Sequence, residues 1–421
     1  MKRFFTSILV IITGLNVFAQ TTISDSVSLG AGYANDVYYS TQTFAKSSVP
    51  NNNWELAFNL GTFDVAIFAN HINGVTVYQC PNTNAAGFAT LDTTGLSTWQ
   101  VLNNTDTSWS TGALNVNIAT SNPYDFGWGI YNPSNHTVNG DSLFVIKLTT
   151  MGFPDEYRKL FIQQKTLAGD YIIHYSNLDN TNDVNTTIYK SNYVDKNFGY
   201  YSLRNNVALD REPITLNWDL LFTRYFADIG GGVYYPTTGV LSNIDVQSAE
   251  ARHIDLTTVD PANYVNLYTD NISEIGYDWK TFNGSSYVIE DSLCYFINSQ
   301  NGNISKIIFT GFGGAADGNI FFNLTNYPTA INEFEQAQLK SMALYPNVTT
   351  DNSTLVFNNK TEGSCDLSVY SISGNKVMQQ NFDATSGLNK KQLNVSDFSK
   401  GIYLVKLTNG NESLVQKLIV Q

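Results

Sequence analysis

The sequence predicts an all-β protein: two tandem β domains followed by a small β-sandwich. Three observations predict it. Tyr (25) and Phe (25) are abundant, as are Thr, Val and Ile, while charged residues make up only 14% of the 421. β-Branched and aromatic side chains suit a pleated, half-buried surface. The apolar runs are short, as in Leu143-Phe144-Val145-Ile146 and Ile307-Ile308-Phe309, and are bounded by turn residues. Finally, one series of landmarks recurs in the same order along residues 20–330.

Taken in chain order, residues 1–19 read as a signal peptide. Lys2 and Arg3 precede an apolar run at 8–15, and Val17 and Ala19 offer a small-residue cleavage site before Gln20. The run is too short to cross about 30 Å of hydrocarbon. The repeat begins with a double tyrosine, Tyr38-Tyr39-Ser40, answered by Tyr200-Tyr201-Ser202. A tryptophan strand follows, Trp54-Glu55-Leu56-Ala57-Phe58, answered by Trp218-Asp219-Leu220-Leu221-Phe222. Later pairs are Asp92 with Asp255, Gly127-Trp128 with Gly276-Tyr277, Asp141 with Asp291, Lys159 with Lys306, and Gly169 with Gly318. Only the interval from Asp92 to Gly127 is much longer in the first copy, which places an insertion within 103–121 and predicts a polar surface loop there. The predicted boundaries are 20–176 for the first domain, 177–192 for a polar linker and the start of the second copy, and 193–330 for the second domain. A further linker occupies 331–342, and the C-terminal module 343–421.

Net charge is −13, and it sits in the repeats, because 343–421 holds seven Lys against six acids. An acidic surface excludes nucleic acid as a partner, since phosphate binding needs a basic patch. Cys80, Cys294 and Cys365 are few and far apart, and read as small apolar strand residues rather than a disulfide framework. The glycine-rich stretch 311–318 lies between two strand patterns with no helix after it, so it reads as a hairpin loop and not a phosphate cradle.

The strand series of 198–324 (Tyr200 to Leu203, Asn217 to Phe222, Ser305 to Phe312, Gly318 to Asn323) resembles the HmuY family of Bacteroidetes haem-binding proteins, with 37–175 a more diverged version. The resemblance implies an all-β domain that captures haem, or another tetrapyrrole, at the cell surface. Bis-histidine ligation needs two facing imidazoles. The second copy has only His253; the first has His71, His136 and His174. None aligns with the family's ligand positions. His71, in an Asn-Gly turn, and His136, in a loop, are the candidate haem ligands, and surface turn histidines are the plainer reading of both.

Residues 343–421 show another pattern: Tyr345-Pro346-Asn347 at the opening, a turn at Gly374, Gly401-Ile402-Tyr403, and a last strand carrying Lys417. They resemble the type A C-terminal sorting domain of the type IX (Por) secretion system, departing from it at Val348, where a second proline is usual. That resemblance implies the secretion machinery as partner, an extracellular or cell-surface location, and removal or exchange of the module near 331–341. Alternate residues of 402–407 are expected to face a sandwich core.

No zinc-helix, nucleophile-elbow or paired-cysteine motif occurs, and four histidines leave few general bases. Glu55 and Asp219, at equivalent positions beside the strand tryptophan, read as makers of a fold-specific hydrogen bond. The expectation is a non-enzymatic surface binding protein. The alternative is a structural or adhesive surface protein without haem, and a polysaccharide hydrolase is a weaker third.

Overall fold

The computed structural model describes residues 21–62, 64–327, 339–410 and 412–421. The signal-peptide reading of 1–19 and most of the 331–342 linker lie outside these residues. The described residues form two compact units, one ending at 327 and the other beginning at 339, and both are built of strands, as the sequence predicts.

In the first unit the first copy runs β1 (Thr21–Ser28), β2 (Asn35–Tyr39), β3 (Lys46–Pro50), β4 (Leu56–Asn59), β5 (Ile67–Ala69), β6 (Val75–Asn84), β7 (Val101–Leu102), β8 (Gly129–Asn132), β9 (Thr137–Gly140), β10 (Ser142–Leu148), β11 (Glu156–Lys165) and β12 (Tyr171–Asn177). The second copy runs β13 (Val184–Ile188), β14 (Phe198–Ser202), β15 (Val207–Leu209), β16 (Leu220–Asp228), β17 (Tyr234–Ser242), β18 (Gln247–Arg252), β19 (Lys280–Phe282), β20 (Tyr287–Ile289), β21 (Leu293–Asn298), β22 (Ile304–Phe312) and β23 (Asn319–Tyr327). Apart from β7, each strand has a counterpart in the other copy.

The copies are not consecutive domains. Each gives its first three strands to the other. One four-stranded sheet has the order β15-β14-β4-β5, and its twin has β3-β2-β16-β17. The larger sheets follow the same rule: β13 pairs β12 and β1 pairs β23. The register is conserved as well. Tyr201 faces Leu56 and Tyr200 faces Ala57; Tyr39 faces Leu220 and Tyr38 faces Leu221. Two sandwich cores result. The first joins Leu56, Phe58 and Phe144 to Ile188, Tyr193 and Tyr201; the second joins Phe222, Tyr295 and Phe322 to Val27, Leu29 and Tyr39.

Three expectations change accordingly. The stretch 177–192, read as a polar linker and the start of the second copy, does start that copy with β13, but in place of a linker it makes the β12–β13 hairpin and supplies Ile188 to the first core. The boundary at 176/193 therefore divides no compact unit. An alternating strand pattern states which face is buried, not which strand lies beside it, so exchange is invisible to it. The tryptophan buried in the second core is Trp279, two residues beyond the Tyr277 paired with Trp128 on spacing. Trp128 and Trp279 each lie at the end of the segment leading into an equivalent hairpin, β8–β9 or β19–β20. Third, the insertion is not merely a polar surface loop, for Ala113 and Leu114 are buried in the first core.

Glu55 and Asp219 act as expected. The Glu55 carboxylate accepts from Ser202 Oγ (3.0 Å), the Arg204 amide (3.2 Å) and Arg204 Nη1 (2.5 Å). Asp219 accepts from the Thr41 amide (2.7 Å) and Thr41 Oγ1 (2.9 Å). Each ties its own copy to the strand borrowed from the other. All three cysteines are buried and free.

The second unit holds β24 (Leu339–Tyr345), β25 (Val348–Thr349), β26 (Asn352–Asn359), β27 (Gly363–Ser371), β28 (Lys376–Ala384), β29 (Gly387–Asn394), β30 (Gly401–Asn409) and β31 (Glu412–Val420). A three-stranded sheet, β24-β26-β29, faces a five-stranded one, β25-β31-β30-β27-β28. Along β30, Tyr403, Val405 and Leu407 point into the core, as the alternation predicts. β24 starts at Leu339, so the end of the predicted 331–342 linker belongs to the sandwich. Among the described residues no helix is long and apolar enough to cross a membrane.

Candidate ligand site at the junction of the two copies

The twin four-stranded sheets each turn one face to a sandwich core and the other toward their counterpart. Odd–even alternation explains this: Leu220 and Phe222 enter the second core, while Leu221 joins Tyr38, Trp218 and Leu241 in a separate cluster. The matching cluster from the other sheet holds Ala57, Phe68, Phe198 and Tyr200. Tyr38 and Tyr200, equivalent in the two copies, meet with hydroxyls 3.3 Å apart. Each stands edge-on to its partner copy's tryptophan, Tyr38 to Trp218 at 4.9 Å and Tyr200 to Trp54 at 5.1 Å.

The insertion breaks this near-twofold arrangement. Trp109 packs against both clusters. Its Nε1–H donates to the Ser242 carbonyl (2.8 Å), and its own carbonyl accepts from Asn59 Nδ2 (3.2 Å). With Asn104, Thr105 and Asp106 it walls a cavity of about 110 Å³ whose other walls include Tyr38, Ala57, Phe68, Phe198, Tyr200 and Leu221. A wider hollow of about 610 Å³ adjoins it, sharing Thr105, Asp106 and Tyr225.

One buried ion pair lines the cavity. Arg211 donates to Asp36 Oδ2 (2.8 Å) and to the Pro50 carbonyl (2.7 Å), and its guanidinium lies over the Tyr200 ring at 4.9 Å. Both ends of this ion pair are buried. The neighbouring Glu212 accepts from the Phe198 amide (2.7 Å) and the Tyr200 hydroxyl (3.1 Å). Burial pushes its pKa up to about 7, against the pull of those donors and of Arg211.

His71 is the only sequence-selected haem candidate that reaches this cavity. It opens a 3-10 turn, His71–Asn73, capped by the Asn70 side chain. Its Nδ1–H donates to the Val75 carbonyl (2.8 Å), so Nε2 carries the lone pair, and that accepts the Asn104 amide (3.3 Å). Burial lowers its pKa. His136 is exposed in the β8–β9 turn with φ +57°, its Nδ1 2.6 Å from the Tyr131 hydroxyl, and it does not line this cavity. The structure therefore does not bring His71 and His136 together. The one ring nitrogen of His71 able to bind iron is occupied by a backbone donor. The cavity is also well below the roughly 300–1,000 Å³ of sites that hold drug-sized ligands. These residues do not fit a haem. His174 is bound to Asp183 (2.7 Å) and stacked on Phe88, and His253 is exposed. No group of three or more His, Cys, Asp or Glu is placed to hold a metal ion among the described residues.

Sequence reasoning missed Trp109, Arg211, Glu212 and Asp106. A lone tryptophan inside an otherwise polar insertion was the one available signal for any of them.

In the second unit the selected residues divide by role. Gly374 has φ +84° in the β27–β28 turn, which disfavours a side chain. Gly401 opens β30, and Tyr403 is buried with its hydroxyl donating to the Ser399 carbonyl (2.7 Å). The Pro346 carbonyl accepts from Ser353 Oγ (2.7 Å), and the Asn347 carbonyl accepts the Ile419 amide (2.8 Å). Tyr345 and Lys417 are exposed.

Residues 343–421 match the family model described as the secretion system C-terminal sorting domain. No curated protein matches the chain. Among solved structures, dimeric latent PorU from Porphyromonas gingivalis aligns at 9% identity with a TM-score of 0.19. The alignment covers 89% of this chain and 31% of that one, and a likeness that slight carries no argument.

Proposed function

We propose that the protein is a non-enzymatic binding protein, exported by the type IX machinery to the cell surface or beyond, with its ligand seat at the junction of the two copies. The sorting-domain match at 343–421 supports the route. For the seat, the supporting observation is the use made of the insertion. The largest difference between the copies does not trail into solvent; it forms a wall of the junction cavity through Asn104 to Asp106 and Trp109. Loops carried on a rigid scaffold are where binding residues concentrate.

A neutral apolar probe tests the seat. In the mature full-length chain, 2-phenylethanol is expected to change tryptophan fluorescence saturably, because Trp54 and Trp109 line the cavity. Ala57→Phe fills the same space and removes the response. No saturable change up to the probe's solubility limit overturns the seat.

A further inference from the structure

Resting on that reading of the junction as a ligand seat, we infer that the ligand is an organic cation: an apolar body for the cavity and an ammonium group for the hollow beside it. The two spaces share Thr105, Asp106 and Tyr225, so a single molecule entering from the hollow reaches the cavity past those three side chains.

The walls differ in chemistry. The inner space is formed largely by rings and aliphatic groups, among them Phe68, Trp109, Phe198 and Leu241. At about 110 Å³ it is a little smaller than the roughly 150 Å³ of an engineered apolar cavity that admits benzene. A phenyl ring or a chain of five or six carbons matches that size. The outer space is lined by five carboxylates, Asp106, Asp228, Glu250, Glu274 and Asp278, and by no Lys, Arg or His. The guanidinium that touches two of these acids, Arg252, is already bound by Glu250 (2.6 and 2.8 Å) and Asp278 (2.8 Å).

These carboxylates repel one another. Asp106 has its pKa raised by burial and by the nearby Asp228, and Glu274 by burial and by Glu250 and Asp278. A cation placed among them relieves that repulsion, whereas an anion adds to it. The inner guanidiniums do not reverse the preference. Arg211 is neutralised by Asp36, and Arg224, which keeps its charge over the Tyr33 ring at 5.5 Å, is a single cation against the five carboxylates of the hollow. A chain carrying a net charge of −13 also draws cations and turns anions away at long range. A ring held among aromatic side chains and an ammonium held among acids is thus the ligand that both spaces accept together.

Three probes that differ in charge separate this from the seat itself. Phenethylamine, 2-phenylethanol and 3-phenylpropionate carry the same ring on a short chain that ends in a cation, a neutral hydroxyl or an anion. They are titrated into the mature full-length chain with tryptophan fluorescence as readout. Phenethylamine is expected to bind at least about tenfold more tightly than 2-phenylethanol, as one well-placed charge provides, and 3-phenylpropionate more weakly still. Asp106→Asn keeps the shape of the side chain and its acceptance of the Asp228 amide (3.2 Å). It is expected to reduce the amine's advantage over 2-phenylethanol severalfold. Raising the salt from 0.05 to 0.5 M should erode the same advantage. Equal binding of amine and alcohol, or an amine affinity indifferent to Asp106→Asn, overturns the cationic ligand while leaving the seat. Failure of all three probes overturns both.

Discussion

Glu55→Gln and Asp219→Asn occupy equivalent places in the two copies, yet the structure assigns them unequal costs. Glu55 is 1% exposed, and its two oxygens meet four donors: Ser202 Oγ and the Arg204 amide on one, Arg204 Nη1 and Asn73 Nδ2 (3.2 Å) on the other. A glutamine keeps one oxygen for Arg204 Nη1 and Asn73. Its NH2 then faces the other two donors. The Ser202 hydroxyl can rotate to accept, but the Arg204 amide is left unanswered at about 1–3 kcal/mol, and the charge on the Arg204 pair is lost for about 1 more. The sum is about 2–4 kcal/mol. Asp219 is different, because both Thr41 donors converge on its Oδ2 and it has no ion-pair partner. Burial already raises its pKa, so a neutral amide suits the site, and Asp219→Asn should cost less than about 1 kcal/mol. Urea unfolding followed by tryptophan fluorescence measures both. All six tryptophans lie between Trp54 and Trp279, so the signal excludes the C-terminal unit. Because each carboxylate clasps a strand from the other copy, both variants should shift a single transition with an unchanged slope. Equal penalties, or two separate tryptophan transitions, would refute the exchanged-strand account of these two residues.

Other expectations follow from the same contacts. Glu212 has a folded pKa of about 7 against an ordinary 4.5. Between those values the native state holds the proton and the unfolded state does not, so the contribution of Glu212 to stability is greatest below pH 4.5 and falls by about 3 kcal/mol as pH rises through 7. Glu212→Gln should flatten that slope, and a urea midpoint that still falls as steeply in the variant would assign it to other groups. Haemin added to the mature chain should give the same spectrum in the parent, His71→Ala and His136→Ala; a Soret band lost with either substitution would restore the histidine pair. A chain ending at residue 342 should stay inside the outer membrane while the full chain becomes accessible to protease added to intact cells, and equal accessibility would dismiss 343–421 as the export signal.

Much of the strand content was legible because burial imposes alternation. Tyr403, Val405 and Leu407 could be assigned to one face from spacing alone, and the apolar runs of β10 and β22 stand out from their polar turns. Duplication was legible too, since Trp54 and Trp218 keep their places beside equivalent tyrosines. Partner choice was not. Tyr200-Tyr201 presents the same pattern whether it pairs with β4 or β16, so only the assembled sheet shows that it joined the other copy. The cavity was hidden for a related reason. Its walls come from both copies, with Ala57 from β4, Leu221 from β16, Arg211 from the turn after β15 and Trp109 from the insertion, and no local window contains more than a fraction of it. His71 could be picked out by residue type, but type does not reveal that a backbone amide already holds its lone pair.

Exchange also decides what kind of site a duplicated chain can build. In consecutive domains the junction is a contact between finished surfaces, free to slide or hinge. Here the strands on either side of it are shared: β2 lies in the sheet of β16, and β14 in that of β4. Tyr38 and Tyr200 therefore meet across two sheets that each hold strands of both copies and that the chain joins twice, through 51–55 and 210–219. The join between copies adds no slack, because 178–183 is only the turn of the β12–β13 hairpin. At the other end β1 covers the edge of β23 along all eight residues, closing the ring of exchanged strands. A near-twofold junction held this firmly offers two equivalent half-sites. One insertion, placing Trp109 and Asp106 on one side only, turns that symmetry into a single cavity with an acidic approach. Its specificity then rests on the insertion more than on the repeat, and Asp106→Asn should change what is bound without disturbing the strands that carry it.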